Sequence, residues 1–206
     1  MQRIDVCLVK WFGADHVEDT FNKTVDSLLS MNHVTLHIHD NTKDNIGLTA
    51  ARNKMLDECH QSIVCFMDFD ITINNIDWYS VCQKLLVEDD VALIAPVTTR
   101  FSSVDRNLEW QPKEYLSCNM MLFNRSRFES LGRWDEDFFV AYADWDIIRR
   151  IMNSGLKIYQ HNKSSINHFG LSRHDPHKGM KWRKDFQTFI KKWGAEGQLD
   201  LSLIHI

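Results

Sequence analysis

Glycine and proline are scarce in this chain of 206 residues, which contains 8 Gly and 3 Pro. Linkers and low-complexity segments are usually rich in these residues, so the composition argues against separate folded units joined by a flexible connection. Hydrophobic residues make up 44% of the chain, an ordinary value for a globular protein. We therefore expect one domain, followed by a tail of different composition.

Long apolar runs are missing, and so is any C-x-x-C pair. The apolar runs are too short to cross a bilayer, and Met1–Asp5 lacks the apolar core of a signal peptide. We interpret the cysteines, whose number is odd, as reduced core residues: Cys7, Cys59, Cys65, Cys82 and Cys118. These observations predict a soluble protein of the cytoplasm.

An excess of positive charge is also absent, because the net charge is −4. Binding to a polyanion such as nucleic acid would therefore need a local basic patch. The sequence after the first apolar run, Lys10-Trp11-Phe12-Gly13, is not a glycine-rich phosphate loop. This absence argues against a nucleotidyltransferase.

Predicted strands and helices alternate through the first half of the chain. Apolar runs indicate strands at 4–9, 62–67 and 91–97, and alternation of apolar and polar residues indicates one at 34–38. Helices are indicated at 17–29, 49–60 and 77–87. This alternation predicts an α/β domain with a mostly parallel sheet flanked by helices, which binds ligands at the carboxyl ends of its strands. The less regular second half predicts a strand at 118–123, a helix at 144–153 ended by Gly155, and a strand at 156–159.

Two acidic residues, Asp68 and Asp70, follow the third predicted strand. Carboxylates one residue apart on an extended segment face the same way. At the carboxyl end of a strand they can hold Mg²⁺ or Mn²⁺ together with phosphate oxygens. Such an ion offsets the charge that develops on a diphosphate leaving group. The alternative is a solvated acidic turn, because a D-x-D pattern alone is weakly specific.

The segment from Asn45 to Asn53 crosses a turn and enters the second predicted helix. Gly47 permits a close backbone approach or a positive φ. Arg52 lies early in the helix, where its guanidinium can bind a phosphate or a carboxylate. An ordinary helix start with a surface arginine is the alternative interpretation.

Further candidate residues lie in the second half of the chain. Asp144 opens a predicted helix, which is a normal N-cap position, and it is also a candidate general base for an attacking hydroxyl. Asp146 and Arg150 are four residues apart and predict an ion pair along that helix. His168 is a candidate to complete a metal site begun by Asp70, although a lone histidine is more often structural.

These pieces, in this order, resemble the family-two glycosyltransferases of the Rossmann-like GT-A fold, over most of residues 4–170. Asn45, Gly47, Arg52 and Asn53 are similar to the N-x-G-x-x-x-A-R-N element of that family, and Asp68 and Asp70 to its D-x-D pair. Three later pieces also match it: strand 118–123 with the turn at 132–136, segment 144–150, which resembles E-D-x-D-L-x-x-R, and His168.

The resemblance implies a GT-A domain over residues 1–175, with a nucleotide-sugar half at 1–100 and an acceptor half at 101–175. It implies inverting transfer of a sugar from a nucleotide diphosphate, expected to be UDP, to an acceptor hydroxyl in one in-line displacement. Asp144 would be the base. Asp70, Asp68 and His168 would hold Mn²⁺ or Mg²⁺. The donor would be bound by Asp40, which ends the second strand, and by Asn45, Gly47, Arg52 and Asp68.

Some positions depart from the family pattern. Ala143 stands where glutamate is usual, and Arg133 replaces the second glycine of the turn at 132–136. The region of Cys118 lacks the usual paired glycines. Asp40 and Asn45 are too close in sequence for the strand that the family usually has between them, so we expect a shortened donor pocket.

Residues 176–206 are basic and aromatic, and we expect a helical tail. Its apolar residues fall on one helical face: Trp182, Phe186, Phe189, Ile190 and Trp193. A terminal helix that packs on the domain, with its basic face in solvent, is the simplest interpretation. Attraction to an anionic membrane surface or to nucleic acid is the alternative.

The sequence leaves the acceptor open. A glycan or another small hydroxyl compound is favoured over a hydroxymethylated base of viral DNA, which would have to be flipped out of the duplex. An inactive nucleotide-sugar-binding protein is the alternative outside the enzymes. Asp68, Asp70 and Asp144 argue against it, because an inactive protein does not need them.

Overall fold

The computed structural model describes residues 2–11, 15–99, 105, 107–116, 118–170 and 178–194. Its strands are β1 (Ile4–Lys10), β2 (Val34–Asp40), β3 (Ile63–Met67), β4 (Ile71–Asn75), β5 (Val91–Thr98), β6 (Trp110–Pro112), β7 (Met120–Asn124) and β8 (Lys157–His168). Its helices are α1 (Asp15–Leu29), α2 (Leu48–Glu58), α3 (Trp78–Val87), α4 (Arg125–Ser130), α5 (Ala143–Asn153) and α6 (Lys178–Trp193).

All eight strands form one sheet, in the order β2-β1-β3-β7-β5-β8-β4, with β6 also paired to β8. Strand β1 is parallel to β2 and β3, and β5 is parallel to β8. Strand β7 is antiparallel to both β3 and β5, so these two point the same way. Five strands, β1, β2, β3, β5 and β8, therefore share one direction, and their carboxyl ends meet at one edge. The predicted α/β fold, with a mostly parallel mixed sheet flanked by helices, is confirmed.

The centre of the sheet is fully buried. Every residue of β3, β5 and β7 is buried, because helices cover both faces of these strands. An aromatic cluster of Phe66, Phe123, Phe128 and Trp134 packs beside β3 and β7, with ring centroids between 4.6 and 6.2 Å apart. This cluster anchors the second half of the chain to the parallel strands.

Some elements were not expected from the sequence. Strands β4 and β6 and helix α4 are short, and the two strands form only because β8 pairs with them. Strand β8 continues to His168 instead of ending at Tyr159. These strands lack long apolar runs, so their pairing depends on contacts that are distant in sequence.

All five cysteines are free thiols, and Cys7, Cys59, Cys65 and Cys82 are buried. Among the described residues, no helix combines the length and the apolar character that a membrane crossing requires. Helix α6 packs its apolar face on the domain, with Phe189 only 3% exposed. Residues 176, 177 and 195–206 of the predicted tail lie outside the described part of the chain.

Candidate active site

A cleft opens at the edge of the sheet where the parallel strands end. Its volume is about 150 Å³. It is lined by residues of β1, β3 and β8, of the segments that follow β1 and β3 and precede α5, and of helices α2 and α6: Val9, Trp11, Leu48, Met67, Asp68, Phe69, Asp70, Val140, His168 and Trp182. Its polar wall consists of two carboxylates and an imidazole, which is the chemistry of a cation site.

The polar wall forms because β4 turns back from β3 and pairs with the end of β8. Ile71 and His168 are register partners in this antiparallel pair. The His168 Nε2 atom consequently lies 3.2 Å from Oδ1 of Asp70 and 3.7 Å from Oδ2 of Asp68. One candidate ligand atom from each of the three residues lies within 4.8 Å of the other two. Two carboxylates and one imidazole suit Mn²⁺ or Mg²⁺, so the residues fit the ion that the sequence implied.

Asp68 is held by two residues besides His168. Arg52 Nη2 donates to its Oδ1 at 3.2 Å, and Asn119 Nδ2 donates to its Oδ2 at 3.1 Å. The Asp68 amide also donates to the Asn119 carbonyl at 2.8 Å. Burial raises the pKa of Asp68, and the positive charges of His168 and Arg52 act in the opposite direction. Asn119, immediately before β7, was not anticipated as a site residue, although it lies within the strand predicted at 118–123.

Arg52 lies beneath the cleft and is not a surface arginine. Only 3% of the residue is exposed, and its guanidinium lies 4.9 Å from the ring centroid of Trp134. Its described acidic partner is Asp68. The fork therefore binds a carboxylate, which is one of the two partners that the sequence suggested.

Asp144 lies in the first turn of α5. Its charge and those of Asp68 and Arg52 are close enough to influence each other. Burial raises the pKa of Asp144, while the Trp145 amide, which donates to Oδ1 at 2.9 Å, and Arg52 favour the charged form. Asp144 is not among the residues that line the cleft.

The N-cap of α5 is Tyr142, so the expectation that Asp144 occupies this position is wrong. Tyr142 has a positive φ of 62°, a conformation that is unusual for a residue with a Cβ. The helix therefore begins at Ala143, one residue before Asp144, and the Asp144 side chain accepts from the amide of the next residue instead of capping the helix. The predicted pair along this helix is present, with Arg150 Nη2 at 2.7 Å from Asp146 Oδ2.

Two of the residues expected to bind the donor make hydrogen bonds within their own loop. Asp40 is exposed at the end of edge strand β2, and its Oδ1 accepts from the Thr42 amide at 2.9 Å. Asn45 Oδ1 accepts from the Gly47 amide at 3.1 Å and from Asn41 Nδ2 at 3.2 Å. These contacts shape the loop between β2 and α2, which contains no strand, as expected from its length.

Gly47 allows the second half of the chain to approach α2. Its φ is 93°, and a Cβ built there would lie 3.0 Å from both Cδ2 and the carbonyl oxygen of Phe139. The Leu48 amide donates to that same carbonyl at 2.6 Å. The glycine thus permits both a left-handed backbone and a close contact with the segment that leads to α5.

Replacing Gly47 with alanine should lower the free energy of unfolding by about 2–4 kcal/mol, from left-handed strain and overpacking together. Denaturant unfolding measures this loss. Gly155→Ala is the matched control, because Gly155 has a φ of 78° and no heavy atom within 4 Å of a built Cβ. It should cost only about 1–2 kcal/mol. Equal losses in the two variants would contradict the close contact at Gly47.

Asn53 and Arg133 join α2 to the turn at 132–136. Asn53 bonds to the Trp134 backbone in both directions, donating at 2.9 Å and accepting at 3.1 Å. Arg133 has a φ of 63° where the resembled family has glycine, and its Nη2 donates to the Asn53 carbonyl at 2.9 Å and to Asp57 at 2.6 Å. The side-chain bonds of Arg133 offset the strain of its backbone conformation.

No protein-family model matches this sequence, and no curated protein does. Solved structures do share its fold. PcManGT, a mannosyltransferase from Pyrobaculum calidifontis solved with GDP-Man and Mn²⁺, aligns with a TM-score of 0.67 at 14% identity, over 92% of this chain and 64% of its own. TarS of S. aureus aligns with a TM-score of 0.59 at 11% identity, over 99% of this chain and 75% of its own.

A third similar structure is GalNAc-T7, solved with UDP, GalNAc and Mn²⁺. It aligns with a TM-score of 0.58 at 12% identity, over 82% of this chain and 43% of its own. The chain thus spans less than two thirds of the length of GalNAc-T7 and of PcManGT. The chain has the fold of the GT-A glycosyltransferases, as the sequence predicted.

Proposed function

We propose that this protein is a metal-dependent glycosyltransferase that moves a sugar from a nucleoside diphosphate to an acceptor hydroxyl with inversion. One observation carries the proposal: Asp68, Asp70 and His168 converge at the cleft edge of a GT-A fold, with Asp144 close to Asp68. The sequence places these residues on β8, on α5 and in the turn after β3. The fold gathers them where parallel sheets bind ligands.

The acidic pair and His168 have the first role in the proposed reaction. Asp70, which is 1% exposed, and His168 are the inner ligands, and Asp68 is the ligand nearest Arg52 and Asn119. A divalent ion bound there supplies a Lewis acid for the departing diphosphate. Arg52 donates a hydrogen bond to one carboxylate oxygen of Asp68 and Asn119 donates to the other, so the carboxylate is fixed in one orientation before the donor binds.

Asp144 has the second role, as the base that takes the proton of the attacking hydroxyl. A general base must be ionised and must lie on the side from which the acceptor comes. Arg52 and the Trp145 amide favour the ionised form of Asp144 against the effect of burial. The half-buried Tyr115 stacks on the buried ring of Trp145, the residue after the proposed base, with ring centroids 4.3 Å apart.

The donor side of the proposal includes Asp40, Asn45, Gly47 and Arg52. Asn45 and Gly47 shape the loop that ends at Leu48, a residue of the cleft wall. Arg52 acts through Asp68, and Asp40 is the contact proposed for the nucleoside at the rim. Both UDP and GDP-Man occur in the similar structures, so we propose a UDP-sugar first and a GDP-sugar second.

The acceptor proposed is a glycan or another small hydroxyl compound. Hydroxymethylated DNA is the second candidate, and one feature favours it. Helix α6 supplies Trp182 to the cleft and exposes Arg183, Lys184 and Lys191 to solvent. A basic helix beside the cleft would attract a phosphate backbone, and that attraction would weaken steeply as salt is added.

The proposal is tested by thermal unfolding with a panel of UDP- and GDP-sugars, each with and without Mn²⁺. The right donor with Mn²⁺ should stabilise the protein, by about 2.7 kcal/mol at a hundredfold excess over its Kd. A chelator should abolish this stabilisation. Stabilisation by no nucleotide sugar, or stabilisation that a chelator does not change, would refute the proposed function.

Turnover of the stabilising donor then separates an enzyme from an inactive binding protein. Released nucleoside diphosphate is measured alone, with candidate glycans, and with hydroxymethylated oligonucleotides. Donor binding without any release, over all acceptors and in water, would favour the inactive binder. Transfer to DNA that is lost as salt rises would favour the second acceptor class.

A further inference from the structure

Helix α6 holds a carboxylate that the proposed reaction does not use. Asp185 is 0% exposed, although the residues around it on this helix include several that face solvent. Its Oδ1 accepts from the Phe139 amide at 2.9 Å, and its Oδ2 accepts from the amides of Val140 and Ala141, both at 2.8 Å. Hydrogen bonds to a charged acceptor are stronger than neutral ones, so one side chain fixes three successive amides.

The three amides belong to a segment that connects both sides of the site. On the donor side, the Phe139 carbonyl accepts from the Leu48 amide at 2.6 Å, and the Phe138 carbonyl accepts from the Thr49 hydroxyl. Val140 itself lines the cleft. On the acceptor side, the segment runs into Tyr142 and then into the first turn of α5, which carries Asp144.

The backbone between this segment and Asp144 is strained, and α6 packs against the strained residue. Tyr142 has a φ of 62°, which a residue with a Cβ adopts only when its surroundings enforce it. Its ring contacts three aromatic residues of α6: Trp182, Phe186 and Phe189, with centroids 6.2, 5.5 and 5.5 Å away. Helix α6 thus fixes one stretch of backbone in two ways: through the hydrogen bonds that Asp185 accepts from three amides, and through the aromatic residues that pack on the ring of Tyr142.

We propose that Asp185 is a positioning residue, through which α6 sets the place of Asp144 and of the cleft wall at Val140. This inference rests on the proposed function, because it concerns the same base and the same cleft. Asp185 touches the backbone of residues 139–141 and acts through it. In this proposal, helix α6 positions residues of the site in addition to packing on the domain.

The test compares Asp185→Asn with the unaltered chain, using the stabilising donor and Mn²⁺. Asparagine has the same shape, but its amide group meets an N–H donor and cannot accept from it. We expect kcat to fall about tenfold to a hundredfold, since a small misplacement of a catalytic group has effects of this size. The donor KM should rise less than kcat falls. Amide hydrogen exchange at residues 139–141 should become faster.

Lys192→Met is the matched control on the same helix. Lys192 anchors α6 through Asp135 at 2.5 Å and Asp146 at 2.8 Å, but it does not contact residues 139–141. Asp146 keeps Arg150 and Trp193 as partners, so its carboxylate stays compensated. This variant should lower stability while kcat stays within about twofold of the original.

The outcomes are distinguishable. If the unaltered chain shows no metal-dependent turnover, the proposed function is overturned. Amide hydrogen exchange needs no turnover, so it still tests whether Asp185 restrains residues 139–141. Unchanged amide exchange at 139–141 in Asp185→Asn would show that Asp185 does not restrain this segment. Faster exchange with unchanged kcat, or an equal loss of kcat in Lys192→Met, overturns the positioning role. If Asp185→Asn does not fold, Asp185→Glu keeps the charge but displaces the carboxylate by one methylene from the three amides, and unchanged exchange at 139–141 with unchanged kcat in it overturns the proposal.

Discussion

Replacing Asp144 with asparagine should lower kcat about 10²–10⁴-fold and leave donor affinity unchanged. The amide has the shape of the carboxylate but cannot take a proton from the acceptor. Its oxygen can still accept from the Trp145 amide, which Asp144 Oδ1 binds at 2.9 Å, so the first turn of α5 should stay folded. Asp144 does not line the cleft, which is why donor binding should not change. Steady-state transfer and donor-dependent thermal shift measure the two quantities.

Asp137→Asn is the control for this substitution. Asp137 belongs to the same acidic stretch but is exposed. It undergoes the same chemical change, from carboxylate to amide, away from Asp68 and Arg52. Its kcat should match that of the unaltered chain. Near-normal turnover in Asp144→Asn would remove Asp144 from the role of base.

Replacing Asp70 with asparagine should abolish the metal-dependent stabilisation by the donor and reduce transfer by roughly a hundredfold or more. The estimate follows from a metal contribution of several kcal/mol at 1.36 kcal/mol per tenfold change in rate. Asp70 is 1% exposed, and its Oδ1 lies 3.2 Å from His168 Nε2. Because it is buried, a water molecule cannot easily take its place as a ligand of the ion. Thermal unfolding during a Mn²⁺ titration measures the effect on the ion, and released nucleoside diphosphate measures the effect on transfer.

A second cluster of metal-binding residue types provides the control for Asp70. Asp5, His37 and Cys59 have candidate ligand atoms within 4.8 Å of one another, towards the opposite edge of the sheet. Asp5 is bound by the amides of His60 and Gln61, both at 2.7 Å, and by His37 Nε2 at 3.0 Å. These bonds already account for Asp5 without an ion. His37→Gln should therefore leave the Mn²⁺ response unchanged, and a response lost in His37→Gln but kept in Asp70→Asn would refute the assignment.

Arg52 acts on two carboxylates near the cleft. Burial raises the pKa of Asp68 and of Asp144; the charge of Asp70 raises that of Asp68 further, and the charge of Asp68 raises that of Asp144. Arg52 lowers both pKa values from a position that is 3% exposed. A single buried guanidinium thus favours the charged form of both the proposed metal ligand and the proposed base.

Strands β1, β3 and β5 could be predicted from the sequence because they are largely apolar runs, and β2 because apolar and polar residues alternate in it. Burial on both faces demands such runs, and β3 and β5 are examples. Strands β4 and β6 could not be predicted in this way, since they are short and partly polar and lie at the border of the sheet. Pairing with β8, and not their own composition, makes them strands.

The candidate residues were found by type and order, while their contacts depended on the fold. Asp68 and Asp70 are separated by one residue, so their common direction could be predicted. The position of His168 beside Asp70 follows from the pairing of β4 with β8. Asn119 and Asp185 carry no motif, and their bonds to Asp68 and to residues 139–141 are visible only in three dimensions.

The sequence alone determined the class of fold, the edge of the sheet that carries the acidic pair, and the kind of ion that this pair suits, because these depend on local patterns and on chemistry. The tertiary structure decided which distant residues meet there. It placed His168 beside Asp70, turned Arg52 inward to Asp68, and set Asp185 beneath the segment that leads to Asp144. Contacts between residues far apart in the chain depend on the packing of the whole domain, and no local pattern encodes them.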